Sequence, residues 1–281
     1  MLASSLLKYY ILLLISFILL VLFLKLTKSS TSSTPTIENF KNQPKPMAPY
    51  DVAFVINLVG TPEGEKSWKR MKLIKKFHNM VRFAGIHGKT YDYSNEVKAG
   101  IVNETWDIGK WKNTSSKVIP MEKSEIGISL SHYYVLKKIV DENIKVALVL
   151  EDDATNLHPQ FETLLEENFK LLPPDWDMFL LGFWLHRGDN GYPVVDNKIY
   201  RVRDFVLLHA FIINNKGARK LLASLPIDRP VDSWISKCAR DNLVIYRHNI
   251  ISNPKSKKPS SKLVVQRREK KNKQIVNTNN W

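Results

Sequence analysis

Apolar residues follow two rhythms along this chain. Short unbroken runs have the length and the β-branched or aromatic content of buried strands: DVAFVINL (51–58), VRFAGI (81–86), KVALVLEDD (145–153), DWDMFLLG (175–182), FVLLHAFIIN (205–214) and NLVIYRH (242–248). Between them the spacing becomes helical. Residues 63–80 place Trp68, Met71, Ile74 and Phe77 on one face, residues 124–143 follow Ser124 as a plausible N-cap, and 159–172 and 233–240 read as further helices. Residues 88–120 are polar and rich in Gly and Asn, the pattern of an insertion or loop. Strands alternating with helices predict an α/β fold, a mixed, mostly parallel sheet with helices on both faces.

The N-terminus departs from both rhythms. Tyr9–Leu24 is apolar or aromatic throughout except for Ser16, with Lys8 on one flank and Lys25 and Lys28 on the other. That is a span for a bilayer, and no small-residue cleavage site follows it. We therefore divide the chain into a membrane anchor (1–27), a Ser/Thr/Pro-rich stem (28–49), a catalytic domain (50–250) and a basic tail (251–281) expected to be disordered. Charge on the two flanks does not fix the orientation. Two glycosylation acceptors, Asn103-Glu104-Thr105 and Asn113-Thr114-Ser115, favour a lumenal body.

Of the net charge of +15, residues 254–281 hold nine Lys/Arg against Glu269 alone, a local excess of +8. Such a tail is a solvated segment or a contact for anionic lipid. It has no interleaved aromatics and no zinc or helix-turn-helix pattern, which argues against nucleic acid. The single cysteine, Cys238, excludes an intrachain disulfide.

The run 146–150 ends in Glu151, Asp152 and Asp153. Adjacent carboxylates repel and raise one another's pKa values, so something must neutralise them. At the carboxyl end of a strand, where such sheets bind ligands, alternate residues of an extended chain point the same way. Glu151 and Asp153 are thus candidates to share a hard cation such as Mg²⁺ or Mn²⁺. A helix N-cap or a surface turn is the alternative.

Taken together, the segments at 124–154, 176–182 and 209–232, with FVINL (54–58), resemble glycosyltransferase family 25, which includes bacterial lipooligosaccharide galactosyltransferases and collagen galactosyltransferases. The resemblance covers roughly residues 51–250. It implies a GT-A-like nucleotide-sugar-binding fold, inverting chemistry, a UDP-sugar donor (galactose as first choice) and a glycan or glycoprotein acceptor. With the anchor and stem, it implies a type II protein of the Golgi or endoplasmic reticulum. Glu151, Asp152 and Asp153 then hold Mn²⁺ (or Mg²⁺) against the donor diphosphate. Asn57 contacts the nucleotide base or caps a helix. His132, beside Ser131, faces the donor or is a core histidine, and the same choice applies to His209 in the His-Ala-Phe triplet. The acceptor's base is Asp232, unless that residue caps the helix at 233–240; Asp228 and Asp177 are the other candidates. Some related transferases complete the metal shell with a C-terminal His, a role for which His248 is the candidate, though spacing alone does not assign it. The turn after the first strand departs from the family's Arg/Asp-rich pattern, with Arg70 late. Two rival readings are a catalytically dead sugar-binding relative and a membrane-tethered adaptor whose tail binds lipid or nucleic acid.

Overall fold

The computed structural model describes residues 49–111, 114–185, 191–250 and 260–266, all within the compact unit Pro46–Trp281. The expected anchor and residues 28–48 of the stem lie outside the described residues. Among those described, no helix is long and apolar enough to cross a membrane.

In chain order the elements are β1 (Val52–Asn57), α1 (Pro62–Leu73), β2 (Met80–Ala84), α2 (Ser94–Lys98), β3 (Thr105–Asp107), α3 (Ile108–Trp111), β4 (Val118–Pro120) and α4 (Lys123–Asp141). They continue with β5 (Val146–Glu151), β6 (Asn156–Leu157), α5 (Phe161–Lys170), β7 (Met178–Leu185), β8 (Tyr192–Val195), β9 (Ile199–Arg201), β10 (Phe205–Asn214), α6 (Asn215–Leu222), α7 (Val231–Asp241), β11 (Ile245–His248) and β12 (Val264–Val265). Eight strands form one sheet in the order β2-β1-β5-β10-β7-β11-β9-β8. The pairs β1–β2, β1–β5 and β7–β11 are parallel, and the other four are antiparallel. Six strands therefore share a direction, and β9 and β10 oppose them, which is the mixed, mostly parallel sheet that the sequence predicts.

Strand alternation divides the core into two layers. Val52 and Phe54 of β1, Ala147 and Val149 of β5, and Phe211 and Ile213 of β10 face a cluster with Leu130 and Leu136 of α4, Leu221 of α6 and Trp234 of α7. Ala53, Val55, Leu148 and Leu150 face the other side, against Met71 of α1 and Phe161 and Leu165 of α5. Helices thus cover both faces.

Local chemistry moves several boundaries from where periodicity puts them. Helix α1 begins where Thr61 accepts from the Gly64 N–H at 3.0 Å, with Pro62 in the first turn. It stops at Leu73, well short of residue 80, because Ile74 is extended and Asn79 is left-handed (φ 48°), turning the chain into β2. Met71 and Phe77 are nonetheless both buried. Helix α4 is capped by Glu122, not Ser124: Glu125 Oε2 accepts from the Glu122 N–H at 2.9 Å. The stretch 88–120 is not a bare loop. It holds α2, α3 and the antiparallel β3–β4 pair.

The segment expected to be a disordered tail also needs correction. Within it, residues 260–266 are packed into the domain: Leu263 and Val264 are fully buried, β12 pairs with β6, and Ser261 N–H donates to Phe183 O at 2.9 Å. An apolar Leu263-Val264-Val265 triplet inside the basic stretch supplies the reason. This segment straps the carboxyl end of the sheet.

Candidate active site

The carboxyl ends of β1 and β5 open into a cleft of about 630 Å³. One wall is α1, and the opposite wall is the stretch 85–89 together with α4. Each wall is fixed by a close backbone approach. A Cβ on Gly64 would lie 1.8 Å from Leu58 O, so only glycine lets α1 start so near the end of β1. A Cβ on Gly127 of α4 would lie 2.6 Å from Gly88 N, and Ser131 Oγ, one turn further on, accepts the Ile86 N–H at 2.8 Å. The Gly127…Ser131-His132 spacing therefore clamps the loop to the helix and turns His132 to the cleft.

Asn57, buried at the end of β1, holds the corner together. Its amide nitrogen donates to Gly64 O (2.9 Å), Ser67 Oγ (2.8 Å) and Asp152 Oδ2, while its oxygen accepts from Arg82 Nε at 2.7 Å. Asn57 is thus committed to the protein, and the cap of α1 is Thr61.

The three acidic residues lie at one end of the cleft and do different work. Strand β5 ends at Glu151, and Asp152 and Asp153 enter a turn in which Ala154 N–H bonds Glu151 O at 3.1 Å. The expected strand alternation is thus replaced by turn geometry. Asp152 Oδ2 accepts from both Asn57 and Ser67 Oγ, which locks that carboxylate to α1. Asp153 has a buried Oδ1 with no hydrogen-bond partner. Burial first, then the charges of Glu151 and Asp152, push its pKa up to about 7 against the opposing hydrogen bond from the Gln266 side chain.

A hard, all-oxygen donor set with an orphaned carboxylate oxygen fits a divalent cation. Among the described residues, however, no three His, Cys, Asp or Glu side chains are arranged to hold one ion. The described residues therefore offer at most two such ligands to one ion, and substrate and water oxygens would add to them.

His132 is 2% exposed, and both ring nitrogens lack hydrogen-bond partners. The ring stacks on Phe211, with centroids 5.8 Å apart, and Nε2 stands 3.8 Å from Glu151 Oε1, too far for a hydrogen bond. Asp232 sits in the first turn of α7 but does not cap it; the capping position is Pro230. Its Oδ2 accepts the Leu207 N–H at 2.8 Å and its Oδ1 the Ser233 N–H at 2.7 Å. Burial, with Glu151's charge adding to it, raises its pKa despite those bonds.

The other candidates are placed differently. His209 sets Nδ1 2.9 Å from Leu207 O and Nε2 3.1 Å from Val264 O, and whichever nitrogen carries the proton donates to its carbonyl, with the ring packed between β10 and the strap. His248 is buried, accepts from Ile250 N–H at Nδ1 (3.0 Å) and faces Leu181 O with Nε2 (3.3 Å); burial lowers its pKa to about 3. His209, His248 and Asp232 are not among the residues that line the cleft, although Asp232 lies close enough to Glu151 to feel its charge. Asp228 is desolvated, but bonds from Arg229 (2.9 Å) and Lys237 (2.8 Å) hold its pKa below the usual range. Asp177 is buried with Lys220 at 2.6 Å, at the amino end of β7, the edge of the sheet opposite the acidic motif.

Residues 51–190 match the family described as glycosyltransferase family 25 (LPS biosynthesis protein). This segment belongs to glycosyltransferase family 25. Procollagen galactosyltransferase 1-B of Xenopus laevis is 28% identical over 194 residues, which cover 66% of this chain and 30% of that protein. Procollagen galactosyltransferase 2 of Homo sapiens is 28% identical over 123 residues, 41% of this chain and 20% of the relative. Inactive glycosyltransferase 25 family member 3 of Mus musculus is 24% identical over 203 residues, 66% and 31% respectively. The matched stretch thus spans less than a third of each curated relative.

Three residues join the site that the motifs alone leave out. Ser67 holds Asp152, Gln266 bonds Asp153, and Arg70 lines the cleft from α1. Helical spacing on α1 marks Glu63, Ser67 and Arg70 as one face, a signal legible in the sequence. Gln266 carries no local signal.

Proposed function

We propose that this protein is a metal-dependent, inverting glycosyltransferase that moves a hexose, galactose as first choice, from a UDP-sugar to a hydroxyl of a glycan or glycoprotein. The observation that carries this reading is the Asp153 carboxylate: buried, repelled by its neighbours and without a partner on Oδ1, at the acidic end of a cleft large enough for a nucleotide. A divalent cation held by Glu151 and Asp153 would offset the charge that develops on the leaving diphosphate. Asp152, fixed by Asn57 and Ser67, sets the turn that carries Asp153. Asp232 takes the acceptor's hydroxyl proton. Its pKa is raised by burial and by Glu151's charge, the direction that strengthens a base, whereas the ion pairs of Asp228 and the remote position of Asp177 suit neither to that role. The acceptor oxygen then bonds to the anomeric carbon as that carbon's bond to the diphosphate breaks, inverting it in one displacement. The similarity to procollagen galactosyltransferases supports galactose and a glycoprotein acceptor.

A lumenal body behind an N-terminal membrane anchor, in the Golgi or endoplasmic reticulum, belongs to the same proposal. Asn103 is exposed, as a glycan acceptor must be; Asn113 lies outside the described residues.

A second reading, a dead sugar-binding relative, draws on the inactive family member and on the lack of a three-ligand cluster among the described residues. One experiment separates the two. Purified protein is screened against nucleotide sugars for release of the nucleoside diphosphate, with Mn²⁺ titrated against EDTA. Metal-dependent release with one donor supports the enzyme. No release with any donor, alongside saturable binding, supports the dead relative.

A further inference from the structure

Two arginines flank the start of the cleft, and their surroundings differ. Arg82 is fully engaged: Nη2 pairs with Glu65 at 2.6 Å, Nη1 reaches the same carboxylate at 3.3 Å, Nε bonds Asn57 at 2.7 Å, and the guanidinium lies 5.4 Å from the centroid of the Trp68 ring. Arg70 lines the cleft, and its Nε and Nη1 are buried without any hydrogen-bond partner. Buried donors on a permanent cation are costly to leave unsatisfied, and a guanidinium keeps its charge at any working pH.

The position of Arg70 indicates what would satisfy it. On α1 it stands one turn beyond Ser67, the residue that holds Asp152, so the same helix face supplies an anchor for the acidic motif and a cation whose Nε and Nη1 have no partner among the described residues. Lys66 lines the same wall one turn before Arg70. The cleft is thus acidic at the end of β5, while α1 lines it with Glu63 in its first turn and with Lys66 and Arg70 further along. A ligand that suits both ends carries two linked anionic groups, one neutralised by a cation at the acidic motif and one by protein.

We infer that Arg70 is a phosphate-binding residue that holds the diphosphate of the donor independently of metal. This rests on the donor reading above but adds a component to it. Part of the affinity for a nucleoside diphosphate survives in EDTA, and that part belongs to Arg70. The guanidinium does not touch the anomeric carbon, so its loss weakens donor binding more than it slows the chemical step.

The test is calorimetric titration of the whole protein with UDP, uridine and inorganic pyrophosphate, in EDTA and in Mn²⁺, for wild type, Arg70→Gln and Arg70→Lys. Arg70→Gln is expected to weaken UDP and pyrophosphate by about tenfold or more in EDTA, the scale of a charge-assisted contact, while uridine is unchanged. Arg70→Lys is expected to recover part of the loss, and in turnover the donor KM rises more than kcat falls. Equal pyrophosphate and UDP binding by wild type and Arg70→Gln overturns the inference, as does equal loss of UDP and uridine, which marks a merely structural role. Pyrophosphate binding that depends on Arg70, without binding of any nucleotide, keeps the anion site and removes the donor reading instead.

Discussion

The N–H of Leu207 donates to Asp232 Oδ2 across 2.8 Å, and Leu207 itself is left-handed, with φ 54°. A leucine in that conformation is strained. It lies in an irregular stretch of β10, where the register against β7 shifts between Val206 and Ala210. Strand irregularity and carboxylate are thus one unit, and it is the antiparallel course of β10 that brings α7 to the carboxyl end of β5.

Asp232→Asn tests that unit. Both carboxylate oxygens accept backbone N–H groups, so one amide orientation or the other sets N–H against N–H. We expect transfer to fall by about a hundredfold to ten-thousandfold, with a smaller loss of melting temperature. In wild type, kcat/KM should fall as pH drops through a pKa above the ordinary carboxylate range, because the base must be ionised. A rate that stays flat into the ordinary carboxylate range, or a variant with full activity, would remove Asp232 from the mechanism.

Asp153→Asn separates metal binding from folding. The folded-state pKa of about 7 lies above the ordinary value of 3.8, so the folded protein holds this proton more tightly than the unfolded chain does. Stability from this group is complete below about pH 4 and is lost as pH rises through 7. The variant should therefore melt higher than wild type in EDTA at pH 8, and the difference should vanish at low pH. Mn²⁺ should stabilise wild type alone, and turnover should fall by about a hundredfold or more. Equal melting of the two proteins in EDTA at pH 8 would contradict this account.

Gly127→Ala addresses the cleft wall. The added methyl would meet Gly88 N at 2.6 Å and Ile86 O at 2.7 Å, both backbone atoms, so the loop must move. We expect the donor KM to rise by about tenfold with kcat changed less, read from donor saturation curves. An unchanged KM would show that stretch 85–88 does not contact the donor.

Topology is tested by expression in a eukaryotic secretory system. Endoglycosidase should shift the protein's mobility, and Asn103→Gln should reduce the shift. Protease accessibility of the domain from the cytosolic side would refute a lumenal body.

How far the sequence reveals this molecule depends on the range of the signal. Strands β1, β5 and β10 are continuous apolar runs, and β10 begins and ends where its run does. The β8–β9 hairpin leaves no apolar run to read, because its strands are short and Tyr192 and Val194 are exposed. A cue was nevertheless present, since Asp196 and Asn197 both take positive φ, as a tight hairpin turn demands. The end of α1 was misjudged because Phe77 stays buried beyond the helix, so the apolar spacing outlasts the hydrogen bonding. At the site, the acidic motif was legible as three charges ending an apolar run. The separation of their roles was not, since it depends on Ser67 and Gln266, which are distant in sequence. Asp177 is a third candidate for the base in the sequence, behind Asp232, and strand directions put it at the other edge of the sheet.

The strap has a consequence for the order of events at the ribosome. Residues 51–151 supply both cleft walls and are made first, whereas Leu263, Val264 and Gln266 emerge later, as chains fold from the N-terminus during synthesis. Until then His209 lacks its contact with Val264 O, and Asp153 lacks the amide of Gln266. The acidic end of the cleft is therefore the last part of the domain to be finished, so a nascent chain passes through an interval with formed cleft walls and an unfinished carboxylate cluster.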